Sequence, residues 1–463
     1  MAWFTRIRDP VHGFVGLTHH EAKLINSQAV QRLRGIKQLA MAHLVYPGAL
    51  HTRFDHTLGV CHVAGLMAAS LDLSNEDEHL VRQAALLHDL GHGPFSHVSE
   101  SLLDRFCDRD VLDDVGPEEK IHERLTLDVI RYDEELSRLL SQDERDTICR
   151  LLGPGYGHPV LRDIVSGPVD ADKQDYLLRD SLFCGVSYGV FDLTQLHRSL
   201  RRSQDHDNIC LVVTSDGVHA LEQFVLAKYY LTTQVYRHKV RLITDQMLTR
   251  AIALGIEHDK IDLLRDLYRY DGSDEFVRRY VAWDDARFLL TFGGDEFRGT
   301  ACHALITRLR QRHLLKRVYS RGLNEKEFPN PETRSVLSNI SEAQRSEVED
   351  QITAALEQAY DTQINARQVI LHVYNIRSVR VQSRNDEKSI LVDDRPSPTP
   401  FEEKSTLFKS IDERLDDTFV EVYAPVVHDP PDRKYAMINA LQGRIDTILG
   451  NLTDRAEDED AAS

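Results

Sequence analysis

The sequence predicts a mainly α-helical protein with a short N-terminal hairpin and a smaller C-terminal α+β region. Apolar residues recur at three- and four-residue spacing from Thr18 to about residue 200, which is the period of an amphipathic helix. In the final third, short alternating runs surround a proline-rich loop at 395–400, as is typical of strands. With 41% hydrophobic residues among 463, the chain can bury a large core, which excludes wholesale disorder.

Glycine and proline divide the N-terminal half into elements. Residues 1–17 are predicted to form an extended hairpin with turn signals at Asp9-Pro10 and His12-Gly13. Gly-Pro-Gly-Tyr-Gly at 153–157 lacks the Lys-Ser/Thr of a phosphate loop, so a turn is the favoured interpretation. Helical periodicity predicts helices over 57–71, 76–90, 94–106, 120–132, 133–152 and 170–184.

The C-terminal half changes pattern twice. Residues 208–221 alternate like a hairpin turning at Asp216-Gly217, and a long helix is predicted over 219–256. Further helices are predicted over 259–318 and 341–362, and strands over 369–381, 389–392 and 419–423. The predicted domains are a hairpin at 1–17, a helical core at 18–320, an α+β region at 321–452 and an acidic disordered tail at 453–463.

Composition and charge argue against several classes of protein. The formal charge of −18 disfavours general nucleic-acid coating and membrane-surface binding, which need broad positive patches. No apolar run approaches the roughly 20 residues that span a bilayer, and the first residues lack the apolar core of a secretory signal. The six cysteines are scattered without a C-x-x-C pair, so we expect reduced thiols and a cytoplasmic location.

Histidine is concentrated where the chemistry is expected. Of 22 histidines, those in residues 1–122 number about twice the roughly six that even spacing would give. An apolar helix that ends in His88-Asp89 is unusual, because a charged aspartate is rarely buried without a partner. His92 lies one turn further on, and His97 follows a Gly-Pro bend. One helix end therefore delivers several polar groups into one cavity.

A metal site needs ligands from other parts of the chain as well. His56 opens another helix, and Asp170 and Asp172 lie on a third helical stretch. Two imidazoles with two carboxylates suit Fe, Mn, Zn, Ni or Mg, and such a site can bring the pKa of bound water near 7. The simpler explanations are packing or an outer-sphere role for His51 and His62, and helix capping for Asp55.

The ordered motifs resemble the HD-domain phosphohydrolases, and most of all the SAM- and HD-domain deoxynucleotide triphosphohydrolases and their bacterial relatives. The resemblance spans residues 9–239, is weak beyond about 320, and includes no SAM domain before the core. Its motifs are Asp9-Pro-Val-His-Gly13, the segment 31–38, the segment 53–60, the run His88-Asp-Leu-Gly-His-Gly-Pro-Phe-Ser-His97, His122-Glu123, the segment 170–180 and Tyr236-Arg-His-Lys239.

The resemblance implies a role for each matching residue. The metal ligands would be His56, His88, Asp89 and Asp172. The catalytic groups would be His92, His97 and His122 around the phosphate, with Glu100 assisting His122, and His97 suits the general acid. Arg53 and Lys173 would bind the phosphates, and Lys228 stands at a further phosphate-binding position. Gln38 would bind the 3′-hydroxyl and Tyr176 would lie at the sugar. Tyr236 would exclude a 2′-hydroxyl.

Three positions depart from the family pattern. Lys228 replaces a phosphate-binding arginine, which keeps the charge and loses the bidentate fork. Thr232 replaces a base-side histidine. The activator-nucleotide site of the relatives would match Asn26, Gln31, Arg34, Arg312 and Lys316, but Asn26 stands where they have a guanine-reading aspartate, which weakens the expected guanine preference.

The leading hypothesis is metal-dependent hydrolysis of deoxynucleoside triphosphates to deoxynucleoside and inorganic triphosphate. One divalent transition metal (Mn, Fe, Zn or Ni) is expected, with Mg²⁺ as a further ion on the substrate phosphates. The alternatives are hydrolysis of another nucleotide (a ribonucleotide, a signalling nucleotide or a monophosphate), or nucleotide sensing or single-strand nucleic-acid binding without catalysis. The expected partners are a substrate nucleotide, an activator nucleotide and further copies of the chain in a dimer or tetramer, with no membrane and no nucleic acid.

Overall fold

The computed structural model describes residues 3–108, 111, 120–153, 158–205, 208–377, 390–394, 397–409, 416–427 and 433–452. The predicted acidic tail at 453–463 lies outside these residues. So do most of the glycine-rich stretch 153–157, the end of the predicted strand 369–381 and the first residue of the strand 389–392.

The N-terminal half consists of two strands, a series of helices and a second strand pair. In chain order these are β1 Thr5–Asp9, β2 Gly13–Leu17, α1 His19–Ile25, α2 Gln28–Gln31, α3 Arg53–Ser70, α4 Asn75–Leu87, α5 His97–Phe106, α6 Ile121–Tyr132, α7 Glu134–Leu139, α8 Gln142–Leu152, α9 Pro159–Ser166, α10 Ala171–Cys184, α11 Leu193–Ser199, β3 Leu200–Asp205, β4 Asn208–Val213 and α12 Val218–Leu231.

The C-terminal half mixes helices and strands. In chain order these are α13 Lys239–Glu257, α14 Asp262–Tyr268, α15 Asp274–Tyr280, α16 Asp285–Phe292, α17 Ala301–Arg310, β5 Lys316–Gly322, α18 Pro331–Ser338, α19 Glu342–Tyr360, β6 Ile370–Arg377, β7 Leu391–Val392, β8 Thr399–Pro400, α20 Phe401–Lys404, α21 Thr406–Lys409, β9 Asp416–Ala424 and α22 Arg433–Gly450. The predicted fold class, a helical core with an N-terminal hairpin and a C-terminal α+β region, is confirmed.

Several predicted elements were wrong in detail. The predicted helix 133–152 is two helices, because Ser141 caps a new one in a capping box with Glu144. β4 pairs with β3 in place of 218–221, and Ser215–Gly217 is a 3₁₀ turn leading into α12. The polar composition of β3 hid it from a search for apolar alternation.

The predicted long helices were also interrupted. The helix over 219–256 is broken where Thr232–Tyr236 winds as a π turn, and α13 begins at Lys239. Over 259–318, where several helices were predicted, there are four α-helices, and only the last residues, from Lys316, belong to β5. The helices α18 and α22 were not predicted at all.

The strands form three separate sheets. β1 and β2 make the N-terminal hairpin. β3, β4, β7 and β8 pair in that order, and β4–β7 is the parallel pair. β5 and β6 flank β9 in an antiparallel sheet.

The chain divides into two compact units. The first contains residues 1–238, 260–292 and 379–413, and the second contains 239–259, 293–378 and 414–463. The predicted boundary at 320 stays a prediction. In the second unit, the β5–β9–β6 sheet and the helices α19 and α22 share an apolar core that includes Val420, Val422, Ile352 and Leu441.

The first unit is built around α3, which packs against α4 and α10. Small residues on α3 permit this close approach. A Cβ on Gly65 would lie 2.5 Å from a guanidinium nitrogen of Arg82, and a Cβ on Gly59 would lie 1.8 Å from Asp175 Oδ1. Among the described residues, no helix has both the length and the apolar character required to cross a membrane.

Candidate active site

Helix ends bring the candidate residues together in the first unit. Thr52 caps α3 in a capping box with Asp55, which places Arg53 and His56 in the first turn. Asp55 therefore has the capping role considered for it. His88 is the C-cap residue of α4, and Asp89 follows it directly.

The remaining residues come from the starts of other helices. Asp170 caps α10 by accepting from the backbone nitrogen of Lys173, so Asp172 lies in the first turn. His97 and Glu100 lie in the first turn of α5, and His122 lies in that of α6.

His56, His88 and Asp172 form a group whose ligand atoms lie within 4.8 Å of one another, a spacing that can hold a metal ion. His56 Nε2 is 2.9 Å from Asp172 Oδ1, and His88 Nε2 is 3.9 Å from the same oxygen. Asp89 adjoins the group, with Oδ1 3.3 Å from His88 Nε2 and Oδ2 3.9 Å from His56 Nε2. The four predicted ligands are thus brought together.

Hydrogen bonds on the far side of both rings orient them. His88 Nδ1 donates to the carbonyl of Ala85 at 2.7 Å, so Nε2 presents its lone pair to the group. His56 Nδ1 donates to Asp175 Oδ2 at 2.8 Å. Burial lowers the pKa of His56, but its hydrogen bonds to Asp172 and Asp175 outweigh burial and raise the pKa to about 10. Such an excess of negative charge is what a divalent cation would neutralise.

Unpaired buried atoms support the same fit. His88 Nε2 is buried and has no hydrogen-bond partner within the described residues. Buried polar atoms without partners are rare in native structures, so this nitrogen indicates a ligand. Two imidazoles and two carboxylates match the borderline divalent metals. The residues therefore fit a divalent metal ion, whose identity they leave open.

A second group contains His92, Glu100 and His122, whose polar atoms also lie within 4.8 Å of one another. The rings of His92 and His122 stack with centroids 4.5 Å apart. Glu100 Oε1 accepts from His97 Nδ1 at 2.6 Å, and its two oxygens lie 3.3 and 3.6 Å from Nδ1 of His92 and His122. Glu100 therefore faces all three histidines, beyond the predicted pairing with His122.

The second group has strongly shifted protonation equilibria. Burial, followed by the charge of Arg53, lowers the pKa of His92 to about 4. Burial and the neighbouring His92 hold the pKa of His122 well below its usual value. Burial opposes ionisation of Glu100, but His97 and its neighbours hold the Glu100 pKa well below its usual value. At neutral pH, two neutral imidazoles thus stack beside a carboxylate.

Asp89 joins the two groups. Its Oδ1 lies 3.3 Å from both His88 Nε2 and His92 Nε2, and its Oδ2 accepts from Arg53 Nη1 at 2.7 Å. Burial raises the pKa of Asp89, but Arg53, His88 and His92 together hold it well below the usual range. The carboxylate is therefore charged and shared.

The loop between His92 and His97 has an unusual backbone. Phe95 and Ser96 have φ values of 63° and 54°, a region that residues other than glycine seldom adopt. Asp285 accepts from the backbone nitrogens of Phe95 at 2.7 Å and Lys37 at 3.0 Å. These bonds fix the conformation that separates the two histidines.

The predicted phosphate-binding cations are engaged with protein groups. Arg53 Nε donates to Ser96 Oγ at 2.8 Å, and its Nη2 is buried without a partner in the described chain. Lys173 Nζ donates to Asp170 and to the carbonyl of Gly167. Burial, followed by the nearby charge of Lys173, lowers the pKa of Lys228.

The predicted sugar-binding residues include two neighbouring tyrosines and a buried glutamine. The rings of Tyr176 and Tyr236 are 6.2 Å apart, and Tyr236 OH donates to Asp180 Oδ2 at 2.6 Å. Asp180 also accepts from His51 Nε2 at 2.7 Å. Gln38 is buried, and its Oε1 has no partner within the described residues.

The predicted activator residues are divided between the two units. Gln31 Oε1 accepts from Arg34 Nε at 2.9 Å in the first unit, and Asn26 caps the end of α1. Arg312 and Lys316 belong to the second unit, so the activator site stays a prediction.

Some site residues were missed from sequence. Asp175, Asp180 and Arg179 lie inside a quoted motif but were given no role. The available signal was their spacing on one helix, because Asp175 follows Asp172 by three residues and Arg179 follows Asp175 by four. Asp285 gave no signal, because it is far along the chain from the loop that it holds.

Comparison with known families identifies the chain. Residues 53–160 match the model of the HD domain, and residues 191–430, about half of the chain, match that of the HD associated region. The chain belongs to the HD-domain superfamily. His56, His88 and Asp89 fall inside the HD match, and Asp172 follows it.

The HD-domain chain resembles proteins with and without an assigned activity. It is 34% identical to an uncharacterized protein of Methanocaldococcus jannaschii over 57% of this chain and 52% of that protein. It is 32% identical to the deoxynucleoside triphosphate triphosphohydrolase SAMHD1 homolog of Dictyostelium discoideum, over 59% and 54% of the two. The chain spans about half the length of these curated relatives.

A solved structure supports the same fold over nearly the whole chain. A hypothetical protein from Aquifex aeolicus matches with a TM-score of 0.67 and 27% identity, over 95% of this chain and 100% of the other. The likeness to this structure therefore includes residues of both compact units, beyond the segment that matches the HD domain.

Proposed function

We propose that the protein uses a divalent metal to hydrolyse deoxynucleoside triphosphates to a deoxynucleoside and inorganic triphosphate. The observation that carries the proposal is the shared Asp89, which links a metal-type group to a proton-transfer-type group. The likeness to a relative named deoxynucleoside triphosphate triphosphohydrolase supplies the substrate class.

The metal would be held by His56, His88, Asp89 and Asp172. When bound there, a divalent ion would polarise a phosphate oxygen and lower the pKa of water. The protein's own contribution is to fix the ligand rings through their outer hydrogen bonds.

Proton transfer to the leaving group would fall to His97. Water forms the new bond to the α-phosphorus and releases one proton to the solvent, and the bond from that phosphorus to the nucleoside 5′-oxygen breaks. The 5′-oxygen takes a proton from His97, which Glu100 orients through the 2.6 Å bond to Nδ1. His97 is the most accessible of these histidines, with 58% of its side chain exposed, so a substrate can reach it.

His92 and His122 would bind the reacting phosphate as neutral hydrogen-bond donors. Each has a buried Nδ1 that makes no hydrogen bond within the described residues, although a Glu100 oxygen lies 3.3 Å from that of His92 and 3.6 Å from that of His122. Because burial keeps both rings neutral, each can donate one proton without competing with the metal for an anion.

The triphosphate product carries several negative charges, so its seat needs fixed cations. Arg53, Lys173 and Lys228 would supply them, with the unpaired Arg53 Nη2 as the first contact. A phosphate would compete with Asp89 and Asp170 for the first two.

Selection of the sugar would depend on Gln38, Tyr176 and Tyr236. The unpaired Gln38 Oε1 would accept from the 3′-hydroxyl. Tyr236, held by Asp180, would leave no room for a 2′-hydroxyl. Assembly as a dimer or tetramer and an activator nucleotide are part of the proposal, and light scattering with and without nucleotide tests them.

The test is a panel of deoxynucleotides and ribonucleotides, supplied singly and in pairs with Mn²⁺ or Mg²⁺. We expect inorganic triphosphate and deoxynucleoside as products, with no monophosphate. Release of another product, or activity confined to ribonucleotides, would support hydrolysis of another nucleotide. The absence of any triphosphate release would overturn the proposal.

Matched variants make the panel specific. His88→Ala removes a proposed ligand and should remove bound metal and activity together. His219→Ala is the control, because the side chain of His219 is 90% exposed and outside the site.

A further inference from the structure

The Asp9-Pro10-Val11-His12-Gly13 motif has no role in the proposed reaction, yet Asp9 and the side chain of His12 are buried. His12 lies in the turn of the β1–β2 hairpin, and its side chain is only 4% exposed. Its Nε2 lies 2.6 Å from Asp175 Oδ1. A polar residue this deeply buried needs a reason beyond closing a hairpin.

Asp175 receives donors on both of its oxygens. Oδ1 accepts from His12 Nε2 and Arg179 Nη2, and Oδ2 accepts from His56 Nδ1 and Arg179 Nε. The Asp175 side chain is fully buried. With each oxygen held by two donors, the carboxylate cannot rotate without losing hydrogen bonds.

Asp9 ties the hairpin to the same network. Its Oδ1 accepts from the backbone nitrogens of Val11 and His12, both at 2.8 Å, which shapes the turn. Its Oδ2 accepts from Arg179 Nη1 at 2.9 Å. Gly13 completes the turn at a φ of 78°. Through Asp9, the motif therefore both fixes the turn that carries His12 and forms an ion pair with Arg179.

We propose that His12 is a positioning residue, which acts through Asp175 to fix the ring of the metal ligand His56. This inference rests on the metal site of the proposed function. An outer carboxylate that accepts from a ligating imidazole sets the ring's tautomer and direction, so anchoring that carboxylate determines metal affinity.

The network is costly for a purely structural device. Buried ion pairs contribute little net stability compared with well-packed apolar residues, because desolvation offsets their attraction. The network reaches His56 at Nδ1, whereas the other ring nitrogen, Nε2, faces Asp172 in the metal group. That direction is what positioning a ligand requires.

The experiment measures Mn²⁺ binding to the metal-stripped full chain by titration calorimetry, with no nucleotide present. His12→Asn is too short to reach Asp175, and we expect its affinity to fall roughly 10- to 100-fold, the usual effect of losing an outer-sphere partner. His12→Gln extends an amide to about the position of Nε2 and should restore affinity to within about threefold.

The matched control is His62→Asn. The ring of His62 lies 5.2 Å from that of His12, and the residue is partly buried, so the substitution removes a neighbouring histidine that makes no hydrogen bond to Asp175 within the described residues. Its affinity for Mn²⁺ should equal that of the wild type. Asp9→Asn, which keeps the turn acceptor and loses the ion pair with Arg179, provides a second variant if His12→Asn unfolds, and should also weaken Mn²⁺ binding.

The outcomes separate the two proposals. Wild-type affinity in folded His12→Asn, or equal loss in His12→Gln, would overturn the positioning role and leave the proposed hydrolysis untouched. If His12→Asn weakens Mn²⁺ binding as expected but the wild type releases no triphosphate, the proposed hydrolysis is overturned and the positioning role stands. A wild type that binds no Mn²⁺ would overturn both.

Discussion

Single side chains show where sequence reasoning succeeds and where it stops. His88 and Asp89 were predicted because a charged aspartate at the end of an apolar helix needs a partner. The resemblance selected His56 and Asp172 from the further candidates, and His56, His88 and Asp172 do meet in one group. Asp175 was missed because an aspartate inside a helix has many surface explanations. Asp175 can be buried there because Gly59 has no Cβ, which would otherwise overlap the carboxylate.

His97→Ala tests the general acid. The side chain is mostly exposed and is not among the proposed metal ligands, so metal content should be unchanged while turnover falls about 10²- to 10⁴-fold. Metal analysis and product chromatography on one preparation measure both. The matched control is His219→Ala, because His219 also begins a helix and pairs with a glutamate three residues later, at 2.9 Å. Undiminished turnover in His97→Ala would refute the assignment.

Gly59→Ala tests the space beside Asp175. The new Cβ would lie 1.8 Å from Asp175 Oδ1 and 2.4 Å from Arg179 Nη2, so the network must shift. We expect a loss of about 1–3 kcal/mol in the free energy of unfolding, measured with urea. Gly443→Ala in α22 is the control, since its Cβ meets nothing within 4 Å and alanine favours a helix. Equal stabilities of wild type and Gly59→Ala would contradict the close packing.

Secondary-structure elements were predicted well where apolar period and caps agree. The hairpin at 1–17 and the helices α5, α6, α10 and α19 lie within a few residues of their predicted bounds. The failures have physical causes. A strand as polar as β3 pairs through backbone bonds that its side chains do not signal. The π turn at Thr232–Tyr236 has the apolar pattern of a helix, so the sequence does not reveal the break.

Asp285→Ala tests the loop before α5. Removing this carboxylate leaves the buried backbone nitrogen of Phe95 and the partly buried one of Lys37 without acceptors, at a cost of about 2–4 kcal/mol. Because the loop carries His92 and precedes His97, kcat should fall more than the affinity for metal. Asp285→Asn keeps one acceptor oxygen, so its stability and kcat should lie between those of the wild type and those of Asp285→Ala. The combination of urea unfolding and Mn²⁺ titration decides, and unchanged stability in Asp285→Ala would be contrary to this account.

At the scale of the whole molecule, the sequence predicted the class of fold but could not define its compact units. The first unit is discontinuous in sequence, because it includes residues 260–292 and 379–413 as well as 1–238. Such discontinuities depend on long-range packing, which local periodicity does not encode. The net charge of −18 does not by itself argue against the proposed phosphate site of Arg53, Lys173 and Lys228, because net charge does not describe the local charge around a site.

Acid should destabilise the fold through its buried neutral histidines. Burial, then the charges of His62 and His12, lower the pKa of His197 to about 4, and its Nε2 donates to Gln174 Oε1 at 2.6 Å. The stability contributed by neutral His197 is present above its unfolded pKa of about 6.5 and is lost as pH falls toward 4.

The variant His197→Gln keeps a donor and removes this titration. Between pH 7.5 and pH 5, its free energy of unfolding should fall by about 2 kcal/mol less than that of the wild type. Urea unfolding of the metal-free protein at both values measures the difference. Identical pH slopes would show that His197 is not held neutral.

The position of Asp89 has a consequence for how this site can be altered. Because one carboxylate is in contact with His88, His92 and Arg53, substitutions at those three residues all act on the same charge. Their energetic effects will not add, and a double-mutant cycle between His88 and His92 will report a coupling energy although the two rings belong to different groups. The metal group and the histidine group therefore cannot be redesigned one at a time.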